Sequence, residues 1–244
     1  MNADMGNWVT GPVVGFDLET TGTDPFFARP VSYSLVWSEN GDATRELSGL
    51  VDPGVPIPEG ASAVHGITAE TLATRPHITL DAAVNLIRSE IVGASAAGIP
   101  LVGMNLKYDL TIIDCLGRAL DGCGLMDLGW NGPVIDILVI DRAVDRYRRG
   151  ARTLSALAAT YGVPLADAHE AGADVIASLA VLAALAGQYP DQVQSISPDA
   201  LHTQQVIWHR DWAENYSSWR ESKGQAPLGS NEFVWPLPSG VSAP

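Results

Sequence analysis

The sequence predicts an α/β fold in which helices flank a mixed five-stranded sheet. Short apolar runs alternate with longer segments whose apolar residues recur at helical spacing, which is the pattern of an α/β domain. The pair Asn40–Gly41 lies between two strand candidates and is typical of a tight hairpin turn. These features indicate that the chain begins with paired antiparallel strands and continues with alternating helices and strands.

Three strand candidates come first, at 12–19, 30–38 and 43–51. The run 12–19 is apolar and is entered through a proline, as expected for a buried strand. Because the hairpin signal lies between the second and third candidates, we expect the first three strands to form an antiparallel meander. Apolar runs at 99–105 and 133–140 supply two further strands, and the second of these turns into a helix.

Five segments have apolar residues at helical spacing. Thr79 and Asp81 can cap the first of them, and Gly162 ends the third. The segment 52–62, rich in proline and glycine, is predicted to be an irregular loop. The predicted helices are 79–98, 106–120, 152–162, 172–187 and 197–222.

The length and composition fit one substantial core. The chain has 244 residues, 46% of them hydrophobic, and no internal repeat. We expect one catalytic domain at 1–190, a helical extension at 191–222 packed on that domain, and an irregular tail at 223–244.

The remaining composition narrows the class of protein. No stretch approaches the roughly 20 apolar residues that span a membrane, and the N-terminus does not resemble a signal peptide. Cys115 and Cys123 form no metal-binding pattern, so we expect a cytoplasmic protein without a membrane partner. The net charge of −14 argues against tight, sequence-blind binding to a nucleic-acid backbone over the whole surface.

Two acids end the first predicted strand, at Asp17 and Glu19. Side chains two residues apart on a strand lie on one face, so both carboxylates point the same way. Like charges this close resist ionising together unless a cation lies between them, and hard divalent cations take carboxylate ligands. The alternative is a solvated strand end followed by an ordinary turn.

Two later acids can reach the same place. Asn105 and Asp109 are four residues apart on the helix that follows the fourth strand, and the end of that strand lies beside the end of the first in a parallel arrangement. Asp174 opens an otherwise apolar helix, either as a first-turn acid or as a ligand held inward. His169 and Asp174 are five residues apart, which on a helix would leave their side chains about 140° apart and on different faces. We therefore place His169 on the preceding loop, as a candidate general base.

The order and spacing of these residues resemble the DEDDh family of 3′–5′ exonucleases, the DnaQ-like proteins that include proofreading epsilon subunits of polymerases. The motif "DLETTG" begins at Asp17, "NLKYD" begins at Asn105 and "HEAGAD" begins at His169. The segment "HGIT" at His65 and the C-terminal "LHTQQVIWH" at Leu201 strengthen the resemblance, the latter to exonucleases from actinobacteria and their phages.

The resemblance implies a ribonuclease H-like fold and a two-metal mechanism. Asp17, Glu19, Asp109 and Asp174 would hold two Mg²⁺ or Mn²⁺ ions, and His169 would act as the general base. The product would be a nucleoside 5′-monophosphate, cut from a single-stranded or frayed 3′ end of DNA, with a replicative DNA polymerase as a candidate partner. The implied substrate contacts are Leu18, Thr20, Thr21, Gly22, His65, Asn105 and Arg149.

Two further features have competing interpretations. Arg142, Arg146 and Arg149 can share a helix face as a rail for a sugar-phosphate backbone, or the arginines of this run can pair locally with Asp141 and Asp145. The tryptophans of the last helix can form stacking platforms for bases, but core packing is the favoured interpretation. These tryptophans are Trp208, Trp212 and Trp219.

Two other functions keep the same fold. An oligoribonuclease-like exoribonuclease would use the same chemistry on RNA, because sugar discrimination depends on contacts to a 2′-hydroxyl that the sequence does not locate. A catalytically inactive polymerase-binding module is the non-enzymatic alternative. The intact set of four carboxylates and His169 argues against that module.

Overall fold

The computed structural model describes residues 7–165 and 171–238. Its six strands form one sheet in the order β4-β3-β2-β1-β5-β6. The strands are β1 (Val13–Thr20), β2 (Pro30–Glu39), β3 (Asp42–Asp52), β4 (His77–Thr79), β5 (Leu101–Gly103) and β6 (Val134–Asp136). The helices are α1 (Glu59–His65), α2 (Ala69–Thr74), α3 (Leu80–Ala96), α4 (Leu106–Asp121), α5 (Ile137–Val144), α6 (Leu154–Tyr161), α7 (Ala171–Gln188) and α8 (Pro198–Ser222).

The sheet confirms the predicted mixed α/β fold and its meander. Strands β1, β2 and β3 pair antiparallel, and β1 pairs parallel with β5, which pairs parallel with β6. The carboxyl ends of β1, β5 and β6, at Thr20, Gly103 and Asp136, therefore lie on one edge, which we call the carboxyl edge. Open α/β sheets bind their ligands at such an edge.

The prediction of five strands is wrong by one. The sixth strand, β4, pairs parallel with the far side of β3, where Val51 faces Ile78. It has three residues, two of them exposed, so it carries no alternating pattern that a sequence could reveal. The segment 133–140 does turn from strand into helix as predicted, since β6 ends at Asp136 and α5 begins at Ile137.

Alternate residues of β1 enter two hydrophobic cores. Val14 and Phe16 pack on one face of the sheet with Ile87 of α3 and Leu110 of α4. Val13 packs on the opposite face with residues of α6 and α7, where Val102, Leu157 and Val181 are all buried. The alternation gives Asp17 and Glu19 the same face as Val13, the face that α7 covers.

The predicted helices are confirmed, with two additions. Thr79 caps α3 by accepting the backbone N–H of Ala82 at 3.3 Å, and Gly162 ends α6 in the left-handed conformation. The loop predicted at 52–62 is irregular only as far as Pro58, because α1 begins at Glu59. Helices α1 and α2 have seven and six residues, too few for apolar periodicity to show in the sequence.

The C-terminal segment is more ordered than predicted. Gln205 of α8 is buried; its side chain accepts the N–H of Asp136 at 2.8 Å and donates to the carbonyl of Val134 at 2.9 Å. Beyond α8, Ser230–Phe233 forms a 3₁₀ turn, and Trp235 lies in the first hydrophobic core. Apart from that turn, the described residues after 224 have no helix or strand, so this part of the tail is irregular but partly buried.

No helix within the described ranges combines the length and the apolar character that crossing a membrane requires.

Gly15 lets α7 lie directly on β1. A Cβ atom built on Gly15 would lie 2.3 Å from Cγ1 of Val175 and 3.3 Å from Cδ1 of Leu179. Real carbon atoms do not approach that closely without strain, so any side chain at position 15 pushes the first turns of α7 away from the sheet.

We expect Gly15→Ala to lower the free energy of unfolding by about 1–3 kcal/mol, the usual effect of overpacking a core. Adding Val175→Ala should relieve the clash, so the double variant loses less stability than the sum of the two single changes. Urea denaturation of the four proteins measures this coupling.

Gly93→Ala is the matched control, because a Cβ on Gly93 of α3 meets nothing within 4 Å. Alanine there should stabilise the helix by about 0.5–1 kcal/mol. Stability unchanged in Gly15→Ala would contradict the close packing of α7 on β1.

Candidate active site

Three carboxylates meet where α7 begins above the carboxyl end of β1. One carboxylate oxygen from each of Asp17, Glu19 and Asp174 lies within 4.8 Å of the others. Strand β1 supplies the first two from one face, and the close approach at Gly15 brings the first turn of α7, with Asp174, over them. The sequence predicted that these three residues converge, and the fold brings them together.

The three carboxylates repel one another in a partly buried site. Desolvation raises the pKa of Asp17 well above its usual range, and the charges of Glu19 and Asp174 raise it further. Desolvation and the charge of Asp174 raise the pKa of Glu19 to about 7. Carboxylate oxygens this close either take up protons or share a cation, and this donor set fits a hard divalent metal ion.

Asp109 adds a fourth carboxyl group from the first turn of α4. The residue is buried, and desolvation raises its pKa well above the usual range. The next largest cause is the charge of Asp17, with smaller contributions from Asp136 and Glu19, so these groups are electrostatic neighbours. Asp109 is not within the tight group of three, so it faces that group from the α4 side.

Asn105 does not lie on the helix that carries Asp109. It adopts the left-handed conformation, with φ of 61°, at the position before α4, and its side chain is exposed. The prediction that the two residues share a helix face is therefore wrong. The left-handed residue turns the chain sharply from β5 into α4, a conformation in which asparagine is enriched.

Asp136 is the site residue that sequence reasoning missed. It is buried at the end of β6, and its Oδ1 accepts the N–H of Asn105 at 2.9 Å and the N–H of Leu138 at 3.0 Å. Its Oδ2 accepts the indole N–H of Trp235 at 3.5 Å. Asp136 thus links α5 and the C-terminal tail by hydrogen bonds to the turn that precedes α4 and positions Asp109. Its place after a short apolar strand was the only signal in the sequence.

The turn after β1 is fixed by its own hydroxyl groups. The Thr20 hydroxyl donates to the carbonyl of Gly22 at 2.9 Å and lies 2.7 Å from the Tyr108 hydroxyl, which also bonds that carbonyl. Thr21 Oγ1 accepts the N–H of Arg29 at 3.0 Å. The predicted contacts at Thr20, Thr21 and Gly22 therefore rest on a rigid turn. The Leu18 side chain points into the first core, so its contact with substrate stays a prediction.

A cleft of about 890 Å³ lies over β2 and β3, lined by residues next to the carboxylates but not by the carboxylates themselves. Ser32 lines it and is paired with Glu19 in the sheet register, and Gly172 lines it from the start of α7. His65, on the far wall, is buried at the end of α1. The His65 Nδ1 accepts the N–H of Ile67 at 3.0 Å, so in the neutral ring the proton is on Nε2. The cleft is large enough for a nucleotide-sized ligand.

Two predicted residues have less structural support. His169 falls in 166–170, outside the described residues, so its role stays a prediction. Arg149 is exposed in the loop beyond the end of α5, and its contact with substrate also stays a prediction.

The arginine run does not form the predicted rail. Helix α5 ends at Val144, so Arg146 and Arg149 lie beyond it and cannot share its face with Arg142. The alternative of local pairing is confirmed for two other members of the run, which bond the buried carboxylate of Asp141. These two are Arg148, at 2.8 Å, and Arg152.

The chain resembles curated DNA polymerase III proteins over part of their length. It is 29% identical over 177 residues to a PolC-type DNA polymerase III from Lacticaseibacillus paracasei, covering 70% of this chain and 11% of that protein. It is 32% identical over 177 residues to a DNA polymerase III subunit epsilon-like protein from Rhodobacter capsulatus, covering 68% of this chain and 22% of that protein. The chain thus spans between about a tenth and about a fifth of these relatives.

Solved structures share the fold at low sequence identity. Exonuclease I from E. coli in complex with a dA16 oligonucleotide superposes with a TM-score of 0.64 at 19% identity, over 82% of this chain and 44% of that one. Exonuclease I from Methylocaldum szegediense gives a TM-score of 0.60 at 20% identity, over 82% and 43%.

The exonuclease family RNase_T matches residues 14–182. The match takes in most of the chain and includes Asp17, Glu19, Asp109 and Asp174 together with the cleft beside them. The chain therefore belongs to the RNase T family of exonucleases.

Proposed function

We propose that the protein is a metal-dependent 3′–5′ exonuclease that releases nucleoside 5′-monophosphates from the 3′ end of DNA. The observation that carries this proposal is the convergence of Asp17, Glu19 and Asp174 within 4.8 Å, with Asp109 facing them. Membership of an exonuclease family supports the reaction class. The DNA polymerase III relatives, and the dA16 strand bound by the structural neighbour, support DNA as the substrate.

The four carboxylates would hold the metal ions. Two Mg²⁺ or Mn²⁺ ions, when bound there, would supply Lewis-acid chemistry that polarises the phosphodiester and offsets the charge that develops on its oxygens. The ionised carboxylates attract cations and repel a phosphate group. This acidic protein would therefore bind an anionic strand end only when metal ions occupy the site.

Residues of the cleft would position the substrate. The rigid turn at Thr20–Gly22 offers backbone at close range to the terminal nucleotide, because glycine has no side chain to hold it off. His65, which lines the cleft at the end of α1, would lie beside the substrate strand. His169 would take the proton of the attacking water, a role for which the ordinary pKa of histidine suits it.

A replicative DNA polymerase is the partner that the curated relatives suggest, and a free-standing enzyme is the alternative. An enzyme that prefers RNA would retain the same site. Rates on a DNA and an RNA strand of matched sequence distinguish these substrates.

Asp17→Asn should abolish shortening of a 5′-labelled DNA strand in the presence of Mn²⁺, with a loss of roughly a hundredfold or more, because a metal ligand is removed. The same variant should lose the rise in melting temperature that Mn²⁺ gives the wild type. His169→Gln should lose activity but keep that rise, since it removes a base and no ligand.

Asp42→Asn is the control for the charge change, because Asp42 is an exposed acid in the β2–β3 hairpin. It should behave as the wild type in both assays. Full activity in Asp17→Asn would sink the assignment.

The metal-free protein should become less stable as pH rises, because Glu19 then loses the proton that the folded state holds. Folding raises the pKa of Glu19 from 4.5 to about 7, so the folded state holds this proton more tightly than the unfolded state does. The associated stability is present below pH 4.5 and is lost as pH rises towards about 7.

His202 and His209 have lowered pKa values and act in the opposite direction over part of this range. The quantity to measure is therefore the melting temperature of Glu19→Gln minus that of the wild type, which should grow across the window. Saturating Mn²⁺ should reverse its sign near neutral pH, because only the wild type gains the full ligand set. A difference that shrinks with pH in the metal-free proteins would contradict the electrostatic account.

A further inference from the structure

Three aromatic rings of α8 stack on one another at the surface. We call Trp212, Tyr216 and Trp219 the aromatic ladder. Their ring centroids lie 5.3 Å and 5.7 Å apart, with interplanar angles of 14° and 13°. Core packing was the favoured interpretation of these tryptophans and is wrong for Trp219, which is 49% exposed.

Arginines accompany the ladder. The guanidinium carbon of Arg142 lies 3.7 Å from the ring centroid of Trp212, and that of Arg220 lies 5.9 Å from the centroid of Tyr216. A groove of about 500 Å³ opens between α5 and α8 beside these contacts. One acidic residue, Asp211, lines this groove. Its other lining residues include Arg142, Arg146, Tyr147, Trp212, Asn215 and Tyr216.

The groove concentrates positive charge in an acidic protein. The net charge is −14, yet five of the 14 lysines and arginines lie between Arg142 and Arg152. Two of these five, Arg148 and Arg152, are paired with Asp141 and Asp145. Arg142 and Arg146 line the groove, and Arg146 is exposed. This placement complements an anion at one location while the rest of the surface repels it.

The direction of α8 places the ladder beyond the carboxyl edge. His202 bonds the N–H of Val134 at the start of β6, and Gln205 bonds the N–H of Asp136 at its end, so helix and strand run the same way. From Gln205 to Trp212 the helix advances about 10 Å, and to Trp219 about 21 Å. The ladder therefore projects past the edge at which the carboxylates gather.

We propose that the aromatic ladder and its groove bind single-stranded DNA upstream of the 3′ terminus that the carboxylates receive. This inference rests on the proposed function, which places the 3′ terminus of the strand at the carboxylates. Bases of any sequence stack on aromatic faces, and arginines contact the phosphates between them, which is how sequence-independent single-strand sites are built. The outer face of Trp219 offers the next place in a stack that already holds three rings.

A protein partner could also use exposed aromatic and arginine side chains. Two observations favour DNA. The rings lie nearly parallel, as stacked bases do, and the guanidinium groups of Arg142 and Arg220 lie close to two of them.

The test measures binding without cleavage, in the full chain carrying Asp17→Asn. Fluorescence anisotropy gives the affinity for labelled oligo(dT) of about 4 and about 20 nucleotides, which bracket the usual size of single-strand sites. We expect the longer strand to bind more tightly. Adding Trp219→Ala should abolish most of this length dependence, weakening the longer strand by roughly tenfold, within the range measured for one base stack.

Three variants sharpen the result. Trp219→Phe should retain most of the length dependence, because it keeps an aromatic face. Ile207→Ala is the matched control, since Ile207 is 50% exposed on the same helix but outside the ladder. Arg146→Gln should reduce the slope of log affinity against log salt by about one, as expected for a lost phosphate contact.

The outcomes separate the two proposals. If wild-type protein shortens DNA while Trp219→Ala leaves affinity for the longer strand unchanged, this inference is overturned and the proposed function stands. Failure of the wild type to shorten DNA overturns the proposed function instead. A Trp219-dependent effect confined to oligo(rU), or to self-association measured by sedimentation, would overturn the assignment of the ladder to DNA.

Discussion

Repulsion among the carboxylates at the end of β1 is the constraint on which the rest of the structure depends. Asp17, Glu19 and Asp174 lie within 4.8 Å through one oxygen each, and partial burial together with their mutual charge raises the pKa of Asp17 and of Glu19. Electrostatics alone would drive α7 away from the strand. The fold holds it there through the apolar packing of Val175 and Leu179 on Gly15, so hydrophobic burial maintains an arrangement that a bound cation would stabilise.

The C-terminal segment completes this arrangement from the other side. Asp136 fixes the turn before α4, and it is in turn held by Gln205 of α8 and by Trp235 of the tail. Each of these groups is buried, so every bond replaces water that the site excludes. The position of Asp109 thus depends on residues more than 60 positions later in the chain. The C-terminal extension therefore supports the candidate site through its bonds to β6.

The sequence predicted the parts of the fold and site that leave a local pattern. Asp17 and Glu19 are two apart on a strand, and the Asn40–Gly41 turn marks the hairpin, so both are visible without any tertiary knowledge. Strand β4 is too short for a pattern, and Asp136 is recognised only by the groups that gather around it. The exposure of Trp219 was missed because helical spacing shows which rings share a face but not whether anything covers it. Arg149 was misplaced because Arg148 and Arg152 turn back to Asp141 where α5 ends.

The central claim is that four carboxylates on three elements form one metal site. Diffraction from crystals soaked in Mn²⁺, with data collected at the manganese absorption edge, tests it most directly. The account predicts two anomalous peaks about 3.5–4 Å apart, ligated by Asp17, Glu19, Asp109 and Asp174. Manganese bound elsewhere with this cluster empty, or bound without Asp109 and Asp174, would contradict it.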